Sequence, residues 1–338
     1  MKKIKIGVLG CGWIGIGAES DLLRAMPSTH VSGIRMNEHF QLVAIQDIST
    51  ESKINSERFA PGVPYFTSAE KMLDEEKLEA VTIASPPETH CELITLCVRK
   101  GVKHILCEKP LSLDLKDAEA VIKLVKEYNV NLVINHMRRF SPLMIKTRDY
   151  IQNKYIRDTL IGTITSGVAF YDKGLFHCGT HILDLLTFFF GDLKAVSAIH
   201  SSVYKNQCDD IAPEAILCFE SCQISLKPFN STNYALAEIN FYGEKGSLKL
   251  KDMWGRKVEF IGTQNCLDFS AYKELNQAGS KTLVEEEAYM TSTYRHFAHT
   301  ISDNSKMEIS WKETLHVIRA LHAIKDSADQ KGKLIELN

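Results

Sequence analysis

The sequence has no apolar segment that approaches the ~20 residues needed to span a membrane. Its most hydrophobic run, Leu183 to Leu193, is interrupted by Asp184, Thr187 and Asp192. The basic start of the chain leads into an apolar run that glycines interrupt and that lacks a small-residue cleavage site, which is typical of a first strand rather than a signal peptide. We therefore expect no membrane partner and a cytoplasmic location.

An excess of positive charge is also missing, since 40 lysines and arginines face 42 acidic residues and the net charge is −2. A nucleic-acid-binding protein is expected to show a basic balance or patch, so no nucleic-acid partner is predicted. The composition, 44% hydrophobic and 24% charged, is that of a globular enzyme. A chain of 338 residues exceeds the roughly 250 to 300 that one hydrophobic core supports, and two domains are expected.

The nine cysteines lack the spacing of a zinc site, as the pairs Cys91/Cys97 and Cys218/Cys222 show. Their odd number, scattered through a long chain without a secretory signal, indicates reduced and mostly buried thiols. No metal is predicted.

Short apolar runs alternate with helical patterns over residues 1–134, which indicates βαβ units on a doubly wound parallel sheet. The predicted strands of this α/β domain are Lys3–Leu9, Gln41–Gln46, Ala80–Ala84, His104–Cys107 and Leu132–Ile134. Over residues 135–338, β-rich segments follow one another without helices between them, which indicates an α+β domain with an antiparallel sheet. A closing helix at about 311–329 can pack back on the first domain.

A glycine-rich turn, Gly10-Cys11-Gly12-Trp13-Ile14-Gly15, follows the first predicted strand. In a G-x-G-x-x-G between strand and helix, the first glycine turns tightly, the second admits a pyrophosphate and the third packs helix on strand. The segment from Ile16 to Arg24 is predicted to be that helix. A glycine-rich turn of an unrelated α/β protein is the alternative, but the position after the first strand favours a Rossmann dinucleotide site. The residues expected to line it are Gly10, Gly12, Trp13, Ile14 and Gly15.

Asp47 ends the second predicted strand, where a carboxylate can accept hydrogen bonds from the adenosine ribose and repel a 2′-phosphate. This favours NAD over NADP. Asp47 lies 32 residues after Gly15 instead of the usual ~20, and we assign the extra length to a turn-rich insertion at Pro27–Asn37. Alternatively, Asp47 only caps a helix at Ser49–Phe59.

The strand that ends at Cys107 leads into Glu108-Lys109-Pro110. Ligands of open α/β sheets collect at the carboxyl ends of the strands, so Glu108 and Lys109 are expected to face the nicotinamide half of the site. A lysine beside a cationic nicotinamide could have its pKa lowered, or could stay charged and polarise a carbonyl. On position alone, a surface ion pair is the simpler interpretation.

These motifs, together with later ones, resemble the Gfo/Idh/MocA family of oxidoreductases, which includes glucose-fructose oxidoreductase and inositol dehydrogenase. The matching segments cover nearly the whole chain in order: Gly10–Gly15, Ser85–His90, Glu108–Pro110, Arg138–Pro142, Gly179–Leu186, Gly243–Leu248 and the closing helix. The resemblance implies a Rossmann domain followed by a domain with a large open, mainly antiparallel sheet, whose exposed face often forms homodimers or homotetramers.

The resemblance also implies roles for single residues. Lys109 matches the family's characteristic active-site lysine, which binds the reacting hydroxyl and assists proton transfer. His181 matches a frequent general acid or base, although a histidine that starts an apolar helix is more often a cap or a core residue. Lys109 is also expected among the cofactor-binding residues, together with Glu108, near the nicotinamide ribose, and with Ser85, Pro86 and His90 in the preceding motif.

The chain departs from the family four residues before His181. Many dehydrogenases of the family have an aspartate there, in D-x-x-x-H, whereas this chain has His177. Because the aspartate helps to orient the histidine or the substrate, either Lys109 and His181 act alone or His177 takes a changed role. A metal site of the two histidines with Cys178 is disfavoured, because His177 and Cys178 precede the glycine expected to begin the helix.

Asn135 and Arg139 follow the last strand of the first domain and could contact a substrate hydroxyl, carboxylate or phosphate, although Arg139 could equally hold the domains together. The leading interpretation is an NAD(P)-dependent oxidoreductase that transfers a hydride to or from a secondary alcohol carbon of a sugar, polyol or nucleotide-linked sugar. Lys109 and His181 are expected to converge on one substrate hydroxyl. The alternatives are a glycoside hydrolase that retains NAD and a non-catalytic protein that senses a dinucleotide.

Overall fold

The structure, a computed structural model, describes residues 2–201, 210–252, 256–302 and 311–337. It divides into two compact units, the first formed by Met1–Ser141 with Glu287–Leu315 and the second by Pro142–Glu286 with His316–Asn338. Within the described ranges, no helix combines the length and the apolar character needed to cross a membrane.

The strands are, in chain order, β1 Ile4–Leu9, β2 Phe40–Gln46, β3 Tyr65–Phe66, β4 Ala80–Ile83, β5 His104–Cys107, β6 Asn131–Ile134, β7 Ile164–Tyr171, β8 Ala195–His200, β9 Pro213–Cys218, β10 Gln223–Pro228, β11 Ile239–Gly243, β12 Gly246–Lys251, β13 Lys257–Asn265, β14 Lys273–Leu275, β15 Lys281–Val284 and β16 Ile335–Glu336. The α-helices are α1 His30–Arg35, α2 Thr50–Phe59, α3 Ala69–Glu75, α4 His90–Arg99, α5 Leu115–Glu127, α6 Pro142–Gln152, α7 Lys154–Leu160, α8 Thr180–Phe190, α9 Tyr289–Ser302 and α10 Trp311–Asp329.

The sheet of the first unit has the strand order β3-β2-β1-β4-β5-β6, and all of its pairings are parallel. This is the order of a dinucleotide-binding Rossmann sheet. Its central strands are short and apolar because both faces are covered, and β4 is buried at every position. The predicted α/β Rossmann domain is confirmed.

The helix predicted directly after the glycine-rich turn is wrong. Residues 16–24 contain only a 3-10 turn at Gly17–Ser20, and α1 begins at His30. The backbone N–H groups of His30 and Val31 donate to the carbonyl oxygens of Ile14 and Gly15, at 3.0 Å each. In a continuous helix residues 18 and 19 would make these bonds, so 12 residues are inserted at 18–29.

This insertion resolves the spacing between Gly15 and Asp47, because 32 residues less 12 leaves the usual ~20. The predicted insertion at Pro27–Asn37 is therefore misplaced, and α1 lies inside that range. A capping box starts α1: the Thr29 hydroxyl accepts from the N–H of Ser32, whose side chain bonds back to the N–H of Thr29. The helix is hard to recognise in the sequence because Gly33 has a poor helix propensity. Glycine is needed there, since a Cβ would lie 2.6 Å from the ring of Tyr294.

Helix α9 belongs to the first unit although it follows the second sheet in the chain. Its residues Met290, Tyr294 and Phe297 are buried in one cluster with β1, β2 and α1 residues. The first stretch of the first unit therefore ends at Ser141, seven residues beyond the expected boundary. A second stretch of the same unit, residues 287–315, follows later in the chain. Helix α9 thus packs on the Rossmann sheet. The start of α10 also belongs to the first unit, where Glu313 pairs with Arg139 and Trp311 lies beneath Lys126, while Leu321 and Ile324 lie in the core of the second unit.

The second unit contains a ten-stranded sheet in the order β14-β13-β12-β11-β7-β10-β9-β8-β16, with β15 also paired to β13. Only β7 and β10 run parallel among the described pairings of this sheet, so the predicted mainly antiparallel sheet is confirmed. Helices α6, α8 and α10 share one apolar core with it, in which Phe189 packs edge-on against Phe241. The β-rich segment at 195–203 forms β8 as far as His200, and its last two residues lie outside the described ranges.

The first unit is expected to lose stability as the pH falls below neutrality. Burial, with a contribution from His299, lowers the pKa of His296 to about 4, and its ring stacks on Phe140 at 4.3 Å. Between pH 6.5 and 4, His296 is therefore protonated in the unfolded chain but not in the folded chain. The free energy of unfolding consequently decreases as the pH is lowered. For this histidine the loss between pH 7 and pH 5 is about 2 kcal/mol.

The variant His296→Phe keeps the stacking ring and removes the titrating group. Urea unfolding at pH 7 and pH 5 is expected to show a smaller difference for this variant than for the wild type. An equal difference in both proteins contradicts the assignment.

Candidate active site

The glycine-rich turn forms a backbone cradle after β1. Gly10 has a φ of +87°, and a Cβ there would lie 2.4 Å from the backbone nitrogen of Ser85. A Cβ on Gly15 would lie 2.5 Å from the carbonyl oxygen of Gly10, whereas one on Gly12 would meet nothing within 4 Å. The first and third glycines are thus required by close packing, and the second leaves open space beside the backbone, as a pyrophosphate requires. Trp13 stands exposed in the same turn.

Asp47 anchors this turn to the end of β2. Its Oδ2 accepts from the N–H of Cys11 at 2.6 Å, and its Oδ1 accepts from the N–H of Ser49 at 2.8 Å. The N-cap of α2 is Ser49, so Asp47 is not the cap of that helix. A carboxylate oxygen can accept more than one bond, which leaves capacity for ribose hydroxyls. The next residue, Ile48, is 86% exposed and is a candidate apolar platform for adenine that the sequence did not single out.

His90 joins the loop after β4 to the loop after β5. Its ring is fully buried, with Nδ1 2.8 Å from the carbonyl oxygen of Pro110 and Nε2 2.9 Å from that of Ser85. The Ser85 hydroxyl pairs with that of Thr89 at 2.7 Å, and Pro86 is exposed. His90 therefore fixes the position of Pro110 relative to the cradle. Direct contacts of Ser85, Pro86 and His90 with a cofactor remain predictions.

Glu108 directs its carboxylate into the first unit. Oε1 lies 3.0 Å from Nε2 of His30 and accepts from Nδ2 of Asn135 at 2.6 Å, while Oε2 accepts from the backbone N–H of Lys109 at 3.2 Å. Burial alone would raise the pKa of Glu108, but His30, Lys109 and Asn135 more than offset it and lower the pKa to about 2. Glu108 is thus a buried carboxylate, next to a half-buried Lys109. Its predicted contact with the nicotinamide ribose remains untested.

Several residues of this network were absent from the sequence predictions. The other ring nitrogen of His30 lies 2.9 Å from the Tyr294 hydroxyl, which is 3.0 Å from the Thr82 hydroxyl. Thr293 donates to Oδ1 of Asn135 at 3.1 Å. His30 and Tyr294 are 264 positions apart, so no local pattern relates them. The signal available in the sequence was a run of polar residues in α9, and the structure shows that these residues are buried.

Asn135 and Arg139, both predicted to bind substrate, are fully buried and bonded within the first unit. Nη1 of Arg139 donates to Oε1 of Glu313 at 2.8 Å. His136 lies between Asn135 and Arg139 in the chain. Its burial and the charges of Arg139 and Lys109 hold the pKa of His136 well below its usual value. The hydrogen bonds of Asn135 and Arg139 give both residues a structural role in the first unit. Their contact with substrate remains a prediction.

His181 is the second residue of α8, in the second unit, and is half-buried. A π-helical turn at Leu175–Gly179 precedes α8 and carries an exposed His177. The carboxylate of Asp210 accepts from the N–H of His177 at 2.9 Å, and burial raises the pKa of this carboxyl although backbone amides partly offset the effect. Asp210 thus caps the histidine-bearing turn. Sequence reasoning missed Asp210 because it lies 33 residues after His177 in the chain.

Family comparison covers both units. A family model described as "Oxidoreductase family, NAD-binding Rossmann fold" matches residues 4–136, and one described as "Oxidoreductase family, C-terminal alpha/beta domain" matches residues 165–337. These two matches cover most of the chain.

Among the described residues, no group of three or more histidine, cysteine, aspartate or glutamate side chains is arranged to hold a metal ion.

Similar proteins include several dehydrogenases. Myo-inositol 2-dehydrogenase of Thermotoga maritima is 30% identical over 48% of this chain and 45% of its own length. The matches to the first curated relatives thus span about half of their length. D-Apiose dehydrogenase of Paraburkholderia graminis is 23% identical over 100% of this chain and 90% of its own. Among solved structures, an Agrobacterium radiobacter oxidoreductase in complex with NAD+, L-tartaric acid and magnesium shares the fold, with a TM-score of 0.73, 16% identity and coverage of 99% and 98%.

The predicted resemblance is confirmed by the two family models, which match in the expected order along the chain. The first unit accordingly is an NAD-binding Rossmann domain, and its glycine cradle fits that cofactor. The chain belongs to the Gfo/Idh/MocA family of oxidoreductases.

Proposed function

We propose that this protein is an NAD-dependent dehydrogenase or reductase that acts on a secondary alcohol or ketone carbon of a sugar, a polyol or a nucleotide-linked sugar. The observation that carries the proposal is the placement of Lys109 at the end of β5, in the same domain as the glycine cradle. His90 ties the loop of Lys109 to Ser85, which itself packs against Gly10. The carboxyl ends of β1, β4 and β5 are where an open α/β sheet binds its ligands.

Lys109 and His181 are the proposed catalytic residues. When bound, NAD supplies the hydride acceptor or donor at the reacting carbon. Lys109 binds the substrate hydroxyl and takes its proton during oxidation, and His181 assists this transfer as a general acid or base. His177, at the position of the family's usual aspartate, is proposed to contact substrate because it is exposed on a turn that Asp210 holds in place.

A substrate panel tests this function. Sugars, inositols and nucleotide sugars are incubated with NAD or NADP, and the absorbance of the reduced nicotinamide is followed together with sugar release. We expect reduction of NAD with at least one polyol or sugar. Sugar release without net reduction supports the NAD-retaining hydrolase instead, and dinucleotide binding without either reaction supports a sensor.

Asp47 is proposed to set the preference for NAD over NADP. The variant Asp47→Asn keeps an acceptor for the N–H of Cys11 but removes the charge that repels a 2′-phosphate. Asp47→Ser removes both. We expect each variant to narrow the NAD preference, and titrations with both dinucleotides measure it. A wild-type preference for NADP of tenfold, about 1.4 kcal/mol, contradicts the assignment.

The outer face of the ten-stranded sheet is proposed to mediate a homodimer or homotetramer. Ile199, Ile216 and Tyr242 are 53%, 43% and 40% exposed. The residue before each of them in its strand is buried in the core, so these three side chains project from the other face. The Lys227–Glu214 ion pair joins β10 to the neighbouring strand β9. The surface is thus mixed, as protein interfaces commonly are.

Light scattering at micromolar concentration is expected to give at least a dimer, and Ile216→Glu to shift it toward the monomer. Ile54→Glu, which alters an exposed isoleucine of α2, is the matched control. A monomeric wild type contradicts this assembly.

A cytoplasmic location is also proposed. All eight cysteines within the described residues are free thiols. Burial raises the pKa of Cys11, Cys97 and Cys107, which keeps these thiols protonated and unreactive. Reduced cysteines are typical of proteins kept in the cytosol.

A further inference from the structure

We infer that His30 is a positioning residue of the proposed active site, which holds the Glu108 carboxylate and through it controls the charge at Lys109. The inference rests on the proposed function of Lys109. His30 is the first residue of α1, and its ring is completely buried. Its backbone N–H bonds to Ile14 of the dinucleotide turn, and its side chain reaches Glu108. One residue thus joins the cofactor cradle to the carboxylate beside Lys109.

The chemistry of the partners fixes one proton of His30. An ionised carboxylate can only accept, so Nε2 must donate to Oε1 of Glu108. At Nδ1 the Tyr294 hydroxyl can either donate or accept, because the Thr82 hydroxyl beyond it is equally adaptable. Tyr294 and Thr82 are fully buried, so this chain of hydrogen bonds leads into the core and not to solvent. Such an arrangement holds and polarises Glu108 and does not serve as a proton shuttle.

Glu108 is held by three donors from separate parts of the domain. These are His30 on α1, Asn135 after β6 and the N–H of Lys109 after β5. A bond from His30 draws negative charge of the carboxylate away from the ammonium of Lys109. Without that bond, the carboxylate favours the charged form of Lys109 more strongly, and the pKa of the lysine rises.

Other ionisable groups face the same carboxylate. The charge of Glu108 acts on Cys107, His136 and Tyr294, and that of Lys109 also acts on His136. Burial holds Cys107 and Tyr294 neutral by raising the pKa of each, and burial holds His136 neutral by lowering its pKa. Glu108 is therefore an ionised group that interacts with Lys109, and His30 is the donor from α1 that holds it.

Two substitutions separate the two ring nitrogens. In His30→Asn the side-chain amide stands near the position of Nδ1 and the donor to Glu108 is lost, whereas in His30→Gln the amide stands near the position of Nε2 and the donor is kept. The pKa of Lys109 is measured in the protein without substrate, from the pH dependence of its acylation by an amine reagent, followed by mass spectrometry. The pH profile of alcohol oxidation and the affinity for NAD are measured in parallel.

We expect His30→Asn to raise the pKa of Lys109 by about one unit, a tenfold change in acylation rate at neutral pH, and to move the acidic limb of the oxidation profile equally. His30→Gln is expected to restore most of the wild-type behaviour. Glu108→Gln is expected to lower the pKa of Lys109, and adding His30→Asn to it is expected to change nothing further, because His30 acts through Glu108. His39→Asn, which alters a partly exposed histidine after α1, is the control.

Equal effects of His30→Asn and His30→Gln, confined to thermal stability, contradict the inference. So does an effect of His30→Asn that persists with Glu108→Gln. Should His30→Asn not fold, an unchanged acylation profile in Glu108→Gln overturns the inference by itself. A shifted acylation profile in a protein that oxidises no alcohol upholds the positioning and refutes the proposed function.

Discussion

Replacing Lys109 by alanine is expected to reduce turnover roughly 10²- to 10⁴-fold, the usual contribution of a positioned acid–base group. The dinucleotide affinity should stay within about threefold of the wild type, because the cradle at Gly10–Gly15 and Asp47 does not involve the Lys109 side chain. Steady-state kinetics with saturating NAD and a separate binding titration measure the two effects. Lys123→Ala, an exposed lysine of α5, is the matched control.

The variant Lys109→Arg separates the two possible roles of the lysine. Arginine keeps the charge that polarises a carbonyl but does not give up its proton near neutral pH. Turnover as low as that of the alanine variant indicates a proton acceptor, and partial recovery indicates polarisation. If Lys109→Ala keeps wild-type turnover on the true substrate, Lys109 is not catalytic.

Replacing His181 by alanine is expected to cause the second largest loss, roughly 10²-fold in turnover, with the affinity for NAD unchanged. If Lys109 or His177 can relay the proton in place of His181, the loss of turnover is smaller than that of Lys109→Ala. The double variant His177→Ala/His181→Ala then falls further than His181→Ala alone.

His177→Asp, which recreates the family's usual pattern, is expected to keep or raise turnover. His200→Ala removes an exposed histidine paired with Asp329 in the same unit and serves as the control. Full activity of His181→Ala on the true substrate contradicts its role.

The fold of the first unit was predictable because its signals are local. Five of the six strands of the parallel sheet were predicted as short apolar runs, and the glycine turn occupies one continuous stretch. The sixth strand, β3, has only two residues and was not predicted. The insertion at 18–29 was misplaced for a physical reason. It interrupts a helix whose remaining part, His30–Arg35, contains Gly33 where Tyr294 approaches from α9.

The site was predictable only in part. Lys109 and Glu108 stand out because they end a strand, but the partners of Glu108 come from distant parts of the chain: His30 and Asn135, with Tyr294 and Thr293 behind them. Sequence periodicity cannot report such contacts, because each residue alone resembles an ordinary polar position. Asp210 was not predicted for the same reason, because only folding brings its carboxylate next to the turn that carries His177.

Transfer of a labelled hydride tests the central claim most directly. A substrate identified in the panel is prepared with deuterium at the carbon that is oxidised, and the reduced dinucleotide is examined by mass spectrometry. We predict one deuterium in the reduced NAD for each ketone formed, and a label that appears far more slowly with Lys109→Ala. Product formation that leaves the dinucleotide unlabelled and unreduced would contradict an oxidoreductase in which Lys109 assists net hydride transfer.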